Sequence, residues 1–277
     1  KLAGRAAAKG LRYHGEADLT VMLPGNFAPE VERALQRLSP DLIHLEQYMD
    51  FLRNRTFRQT LLCRDKLELK FEMRVERLLG FFVGTHAQPV SARPNLESNE
   101  YEEFKASDAS ISLNHPLTKA AMVYLCEIQP RQVTVQELRE EARRRLRWGT
   151  GAAELAADLA VLGKWLLAAY TSLSDRLIQL SAGAPRYLTR STDRPVVRPL
   201  ARHQAKTRAL VTNCRHESVH LDAIHRQLVL CLDGTHDRAA LCSKCEPLVN
   251  NGTININKDG RQLTPKQAWQ ELQNGLL

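Results

Sequence analysis

The stretch that decides how this chain is classified is Glu46-Gln-Tyr-Met-Asp-Phe-Leu-Arg-Asn-Arg-Thr-Phe-Arg-Gln-Thr-Leu-Leu-Cys63. It places three arginines among two phenylalanines and ends in an apolar pair followed by a cysteine. Bulky apolar groups and long cations occur here only a few residues apart, which a plain amphipathic helix does not accommodate. The fold must therefore satisfy both kinds of side chain in one short segment.

Length and charge set the first limits. The chain has 277 residues, more than a typical single domain, so two or three domains are expected. Hydrophobic residues make up 43% and charged residues 25%, as in ordinary globular proteins. The net charge of +8 permits a polyanionic partner. Most of the basic residues are arginines, however, which often pair with carboxylates instead.

The cysteines and the apolar segments indicate the cellular compartment of the protein. Six cysteines spread over a long chain without a secretory leader predict reduced thiols and a cytoplasmic location. The longest apolar segment, residues 152–173, contains Glu154, Asp158 and Lys164, so it is interpreted as a buried helix and no membrane partner is expected. The chain starts at Lys1 within a helical pattern and without methionine, which suggests part of a larger protein.

Helical periodicity dominates the first part of the chain. Val31, Leu35 and Leu38 are predicted to share one helical face, and Ser39-Pro-Asp41 has the composition of a helix start. The helix that follows is predicted to bury four residues spaced three and four apart, namely Leu42, Leu45, Met49 and Leu52.

The pattern changes in the middle of the chain. Apolar or alternating runs at residues 79–83, 100–104 and 110–113 predict a small antiparallel sheet. Helices are then predicted at 116–129, from the capping box Thr134-Val-Gln-Glu137, and at 152–173, with a strand at 177–180. Three helices with flanking short strands are the outline of a winged helix-turn-helix.

These patterns predict a mainly α protein with small β elements, an α+β fold in which a helical segment precedes winged-helix-like units. The expected divisions are a helical segment at 1–66, a winged-helix-like domain at 67–182, a basic proline-containing linker at 183–208 and a small helix-and-wing domain at 209–277. Within the last division, a strand at 253–257 and a helix from Thr264 are expected.

Cys242-Ser-Lys-Cys245 is the sharpest chemical motif, because two thiolates at this spacing can share one zinc ion. A second ligand pair of standard spacing does not accompany it. The pair also lies in an apolar helical pattern, where cysteine serves as a small hydrophobe. The structural interpretation is preferred, and Cys242 and Cys245 remain candidates for a metal.

Other chemistry is not indicated. Gly149-Thr-Gly151 lacks the preceding apolar strand and the further glycines of a phosphate loop, so it is interpreted as a helix end. We found neither a nucleophile elbow nor a cysteine beside a recognisable histidine set. The sequence therefore predicts no catalytic residue and no cofactor site in this chain.

With these residues in view, Asp50-Phe-Leu-Arg-Asn-Arg-Thr-Phe-Arg-Gln-Thr-Leu-Leu-Cys63 resembles the signature of the predicted methyltransferase regulatory domain family. The resemblance extends upstream through residues 10–19 and 22–24, and downstream through residues 89–92, 115–121 and 232–241. In bacterial proteins this domain follows an S-adenosylmethionine-dependent methyltransferase domain, and some members are similar to protein lysine methyltransferases.

The resemblance implies a non-catalytic regulatory or substrate-presenting portion of a class I methyltransferase. It implies that S-adenosylmethionine binds in a catalytic domain outside this chain, and that this domain and a protein substrate are the partners. Six residues of the motif are the candidate interface: Asp50, Arg53, Asn54, Arg55, Phe57 and Arg58.

Two interpretations of Arg53, Arg55 and Arg58 stay open. They either contact the catalytic domain or substrate, or form an internal ion-pair network with Asp50 and nearby carboxylates. The alternative function is a winged-helix DNA-binding protein or interaction scaffold. Nucleic acid is the less expected partner, because the helix at 152–173 offers only Lys164 as a cation.

Overall fold

The computed structural model describes residues 2–149, 151–173, 176–184, 192–250, 257–258, 261–262, 264 and 266–267. The chain divides into two compact units, Lys1–Pro185 and Arg186–Leu277. The helices are α1 Leu2–Ala7, α2 Pro29–Leu38, α3 Leu42–Arg53, α4 Pro116–Glu127, α5 Val135–Leu146, α6 Ala152–Leu173, α7 Pro199–Ala205, α8 Ala223–Cys231 and α9 Arg238–Asn250.

The strands are short and pair only in antiparallel fashion within the described residues. They are β1 Leu11–Glu16, β2 Thr60–Arg64, β3 Phe82–Thr85, β4 Gln88–Pro89, β5 Glu102–Lys105, β6 Ser110–Leu113, β7 Val133–Thr134, β8 Ile178–Ser181, β9 Leu210–Thr212, β10 Ser218–His220, β11 Asn257–Lys258 and β12 Arg261–Gln262. Helices with small antiparallel sheets make an α+β fold, so the predicted fold class is confirmed.

The first 64 residues combine a β1–β2 pair with α1, α2 and α3. The register runs from Leu11 opposite Arg64 to Glu16 opposite Thr60, and it shifts between Tyr13 and Gly15. Met49 of α3 is buried as predicted, but Leu52 is 55% exposed. The prediction for Leu52 was wrong because this residue lies in the last turn of α3, just before the chain leaves through a left-handed turn at Asn54.

The middle of the chain contains the largest core. Leu117, Leu138 and Leu166, from α4, α5 and α6, belong to one buried cluster that also includes residues of the sheet β7-β3-β8. Thr134 caps α5 by accepting a hydrogen bond from the Glu137 N–H at 3.1 Å, as the capping box predicted. The strand expected at 79–83 lies later, at Phe82–Thr85, because Val75–Gly80 forms a 3-10 turn that packs on α6.

The second unit has its own small cores. Residues 199–205 fall in the predicted linker, yet they form α7, whose Ala201 and Ala205 are buried beside Val211. Pro199 occupies the first turn of α7, where proline is compatible with a helix, so the proline content of the segment was a poor guide there. The predicted strand at 253–257 and the last helix from Thr264 lie largely outside the described residues.

Candidate functional site

The arginine-rich motif lies where α3 meets the β1–β2 pair. Asp41 begins α3 by accepting a hydrogen bond from the His44 N–H at 2.9 Å. Asn54 ends the helix at φ 50°, and its N–H donates to the carbonyls of Asp50 and Phe51. Arg55 N–H then donates to the Asp50 carbonyl at 3.0 Å. The chain therefore reverses sharply, and the next residues return along α3.

Ion pairs hold the returning segment against α3. Arg55 contacts Asp50 Oδ1 at 2.5 Å, and Arg58 Nε donates to Asp50 Oδ2 at 2.6 Å. Arg58 Nη1 also donates to Glu46 Oε2 at 3.2 Å. Charge-assisted hydrogen bonds between guanidinium and carboxylate are among the stronger polar contacts in proteins. Asp50 is thus clamped by two arginines from the segment that follows it.

Glu16 at the end of β1 completes the cluster. Its carboxyl group accepts from the Gln59 N–H at 2.9 Å and from Thr60 Oγ1 at 3.0 Å, and it lies 3.6 Å from Arg55 Nη1. The Tyr13 hydroxyl lies 3.0 Å from Glu16 Oε1 and also contacts Glu46 Oε2. We call the six side chains of this cluster the carboxyl-arginine network: Tyr13, Glu16, Glu46, Asp50, Arg55 and Arg58.

Burial perturbs the titration of this network. Glu46 is 0% exposed, and loss of hydration raises the pKa of its carboxyl group, with nearby Glu16 adding to the effect while Tyr13 and Arg58 oppose it. Burial also raises the pKa of the Tyr13 hydroxyl, and contacts with Glu46 and Glu16 raise it further. Tyr13 therefore stays protonated, and the ionisation of Glu46 is disfavoured.

The remaining motif residues lie outside the network. Arg53 donates to the Val21 carbonyl, and its guanidinium lies 4.3 Å from the centre of the Phe27 ring. Asn54 has a structural role in the left-handed turn. Phe57 is 89% exposed at the turn between the two clamping arginines. Arg55 and Arg58 thus have the internal pairing that one interpretation of the motif required, whereas Arg53 does not.

Sequence reasoning missed Tyr13, Glu16 and Glu46 as members of this cluster. Glu46 and Asp50 are four residues apart on α3, which places both carboxyl groups on one helical face and was a usable signal. Tyr13 and Glu16 carried no such signal, because their position depends on a long-range strand pairing and on its shifted register.

Two of the cavities at the network are lined by its acidic residues. One of about 230 Å³ is lined by polar groups of Tyr13, Gln47, Asp50, Arg58 and Thr60 and by the apolar residues Leu2, Ala3 and Ile43. The second, of about 260 Å³, is lined by Glu16, Asp18, Val21, Arg55, Phe57 and Gln59. Phe57 and its neighbours thus meet solvent directly beside the buried charges.

Phe51, Leu52 and Phe57 form the exposed apolar group of the motif. Their exposed fractions are 80%, 55% and 89%, respectively. Isolated exposed apolar residues are common, but three within seven positions are a candidate contact surface. We call these three residues the motif face.

The cysteine motif of the second unit is in an apolar setting. Cys242 and Cys245 are both buried on α9, and Cys245 packs with Leu228 and Leu241. Burial raises the pKa of the Cys245 thiol, which disfavours the thiolate that a zinc ion needs. Among the described residues, no group of three His, Cys, Asp or Glu side chains is placed to hold a metal ion.

The arginines of α5 are largely paired. Arg143 is buried and contacts Asp158 and, at 2.7 Å, Glu154. Arg144 and Arg145 contact Glu141, at 2.6 and 3.1 Å. Arg143 and Arg145 are thus largely enclosed by their partners, whereas the side chain of Arg144 is 70% exposed.

Comparison with known proteins shows which family the segment containing the motif matches. Residues 1–64 match a family described as Predicted methyltransferase regulatory domain. The match covers the first 64 residues of the chain. The resemblance stated from residues 50–63 is thereby confirmed, and the carboxyl-arginine network lies entirely within the matched segment. Residues 193–277 match a second family, described as PKMT, C-terminal winged helix domain.

Relatives extend over most of the chain. The uncharacterized protein RP789 of Rickettsia prowazekii is 24% identical over 271 residues, which cover 95% of this chain and 47% of that protein. The uncharacterized protein RP027 of the same organism is 24% identical over 203 residues, which cover 68% of this chain and 78% of that protein.

Solved structures share the fold. PKMT2 from Rickettsia typhi in complex with AdoHcy has a TM-score of 0.83 at 22% identity, over 99% of this chain and 54% of that protein. Another structure of PKMT2 from Rickettsia typhi gives 0.82 at 21% identity and covers 55% of that protein. The chain therefore spans about half the length of RP789 and of the PKMT2 structures. None of the helices in the described part of the chain has the length and apolar character of a membrane span.

Proposed function

We propose that this chain is the non-catalytic regulatory and substrate-presenting portion of a class I S-adenosylmethionine-dependent methyltransferase whose methyl acceptor is a protein. The match of residues 1–64 to the regulatory domain supports this assignment. The match of residues 193–277 and the shared fold with PKMT2, one structure of which holds AdoHcy, favour the same class of enzyme. In this proposal, S-adenosylmethionine binds in a catalytic domain of the same parent chain.

The observation that carries the proposal is the motif face within the regulatory domain. The carboxyl-arginine network fixes the turn on which Phe57 stands, so the ring is held outward instead of folding into the core. Covering an exposed phenylalanine contributes roughly 2 to 3 kcal/mol. An exposed aromatic ring on a turn fixed by ion pairs is suited to docking against an apolar surface. We assign that surface to the catalytic methyltransferase domain.

The test is the substitution Phe57→Ser in the intact parent protein. Methyl transfer is expected to fall at least tenfold, because a docking anchor worth about 1.4 kcal/mol or more is lost. The melting temperature of the 277-residue chain should stay unchanged, because Phe57 is 89% exposed. Steady-state methyl transfer and thermal unfolding are the two measurements.

Tyr101→Ser is the matched control, since Tyr101 is another aromatic residue that is 71% exposed and it lies outside the regulatory domain. It should leave methyl transfer at the parental rate. Equal activity of the Phe57→Ser and Tyr101→Ser proteins would contradict docking through the motif face.

The alternative function is a winged-helix scaffold or DNA-binding protein. The paired arginines of α5 favour the scaffold over DNA binding within this alternative. A mobility shift on duplex DNA that weakens steeply with salt would support DNA binding instead, because phosphate contacts release counterions.

A further inference from the structure

The hydroxyl of Tyr13 has one hydrogen to donate, yet it lies against two carboxyl groups. Glu16 Oε1 is 3.0 Å from it, and Glu46 Oε2 is in hydrogen-bond contact on the other side. An ionised carboxylate only accepts hydrogen bonds. If both glutamates were ionised, one of these two contacts would bring oxygen against oxygen without a hydrogen. A proton on one of the two carboxyl groups would give each contact a hydrogen of its own.

The hydrogen-bond partners indicate which glutamate is protonated. Both oxygens of Glu16 accept from other donors, the Gln59 N–H and Thr60 Oγ1, and Arg55 Nη1 lies 3.6 Å away. These donors use both oxygens of Glu16 as acceptors. Glu46 is 0% exposed, and its Oε1 has no hydrogen-bond partner among the residues that the structure describes. The proton therefore belongs on Glu46, which then donates to Tyr13 while Tyr13 donates to Glu16.

The charges of the network lead to the same assignment. Three carboxyl groups, Glu16, Glu46 and Asp50, face the two guanidinium groups of Arg55 and Arg58. With every carboxyl group ionised, the network would hold one uncompensated negative charge, which is costly in a buried position. A proton on Glu46 makes the network neutral.

The surroundings of Glu46 come from three elements. β1 contributes Tyr13 and Glu16, the returning segment contributes Arg55 and Arg58, and α3 itself contributes Asp50. α2 also packs on α3, but within the described chain none of its charged side chains makes an ion pair or hydrogen bond with Glu46. Asp18, in the turn after β1, acts on Arg53 instead.

We propose that Glu46 is a proton-dependent latch: protonated, it joins β1, α3 and the returning segment, and its ionisation loosens the turn that presents Phe57. Ionisation sets the Glu46 carboxylate against Glu16 across a single hydroxyl, and Arg58, which contacts Glu46 at 3.2 Å, also pairs with Asp50. The latch is a property of this chain, and only its use in controlling a methyltransferase rests on the proposed function.

The sign of the pH effect follows from the protonated native state. A carboxyl group whose folded pKa lies above its unfolded pKa contributes stability that is fully present below the unfolded value, and that contribution is lost as pH rises through the folded value. Burial raises the pKa of Glu46, which places the loss above the ordinary glutamate range. The latch therefore weakens as pH rises.

The test compares hydrogen exchange of the Gln59 amide, which donates to Glu16, in the 277-residue chain and in its Glu46→Gln variant. Glutamine keeps the shape of a neutral carboxyl group and does not ionise. The quantity to follow is the ratio of the wild-type protection factor to that of the variant. Between the unfolded and the folded pKa of Glu46, this ratio should fall by up to about tenfold per pH unit, and at higher pH it should level off. The exposed Glu103 provides the control Glu103→Gln, which should leave that ratio independent of pH.

A ratio that is constant from pH 4 to 9, or that rises with pH, would overturn the latch. The carboxyl ¹³C shift of Glu46 in the unaltered chain gives a second readout that does not depend on the folding of a variant. Its titration midpoint should lie above the ordinary glutamate value, and a midpoint at or below that value refutes the proposal. A latch that titrates as expected in a parent insensitive to Phe57→Ser would refute the proposed function alone.

Discussion

Lys119 shows how a single buried cation can organise a loop. Its side chain lies on α4 and is 0% exposed, and Nζ donates to the carbonyls of Asn95 and Ser98 at 2.6 Å and of Glu100 at 3.2 Å. Three donors meet three acceptors, so the ammonium ion has its full complement of hydrogen bonds. The loop between β4 and β5 is thereby fastened to the largest core.

Replacing this ammonium should be costly at the level of one residue. Lys119→Met keeps most of the side-chain volume but leaves three carbonyl groups without their donor, so a loss of about 3 kcal/mol or more in unfolding free energy is expected. Chemical denaturation measures it, and hydrogen exchange should show the damage at residues 95–100. Lys105 is the exposed last residue of β5, and Lys105→Met should change the stability by less than about 0.5 kcal/mol. An equal effect of the two variants would contradict this role for Lys119.

At the scale of elements, α6 and the 3-10 turn Val75–Gly80 approach too closely for any side chain at Gly163. A Cβ there would lie 2.0 Å from Val75 Cγ1. Gly163→Ala should therefore lower the unfolding free energy by about 1 to 3 kcal/mol, although alanine is the better helix former by about 1 kcal/mol. Gly4→Ala in α1 is the control, because nothing lies within 4 Å of a Cβ at that position. Thermal unfolding should show opposite signs for the two variants, and a stabilised Gly163→Ala protein would disprove the close approach.

At the scale of the whole molecule, the chain corresponds to about half of PKMT2. The proposed division of labour predicts that the isolated 277-residue chain does not bind S-adenosylmethionine measurably, whereas the parent protein does. Isothermal calorimetry with both proteins at matched concentration makes the comparison. Stoichiometric binding to the isolated chain would show that it holds a cofactor site of its own and would contradict the non-catalytic assignment.

Short sequence patterns correctly predicted the helices that are marked by a cap or an apolar segment of their own. The capping box at Thr134 and the long apolar segment at residues 152–173 correspond to α5 and α6, and the fold class follows from such segments. Predictions failed where tertiary packing determines which residues are buried. Leu52, in the last turn of α3, is exposed, and the alanines of α7 are buried in a small core that no short sequence pattern indicates. Propensity and periodicity describe one element, whereas burial depends on its neighbours.

The candidate site was only half visible in the sequence. Arg55, Arg58 and Asp50 are neighbours in the chain, and their mixture with phenylalanine marked the segment. Tyr13 and Glu16 lie at least 30 residues before Glu46 and Asp50 in the sequence, so only the strand pairing brings them into the cluster. The part of the network that determines its proton balance is therefore the part that the sequence did not indicate.

The shifted register of β1 has a consequence for anyone who would redesign this domain. In a regular strand, residues 13 and 16 would face opposite sides, because side chains alternate. The extra residue at His14 returns both Tyr13 and Glu16 to the side of α3, where their oxygens meet. An idealised strand of the same length would be simpler to build and would look better by every local criterion. It would also separate Tyr13 from Glu16. A redesigned domain must therefore keep this irregularity.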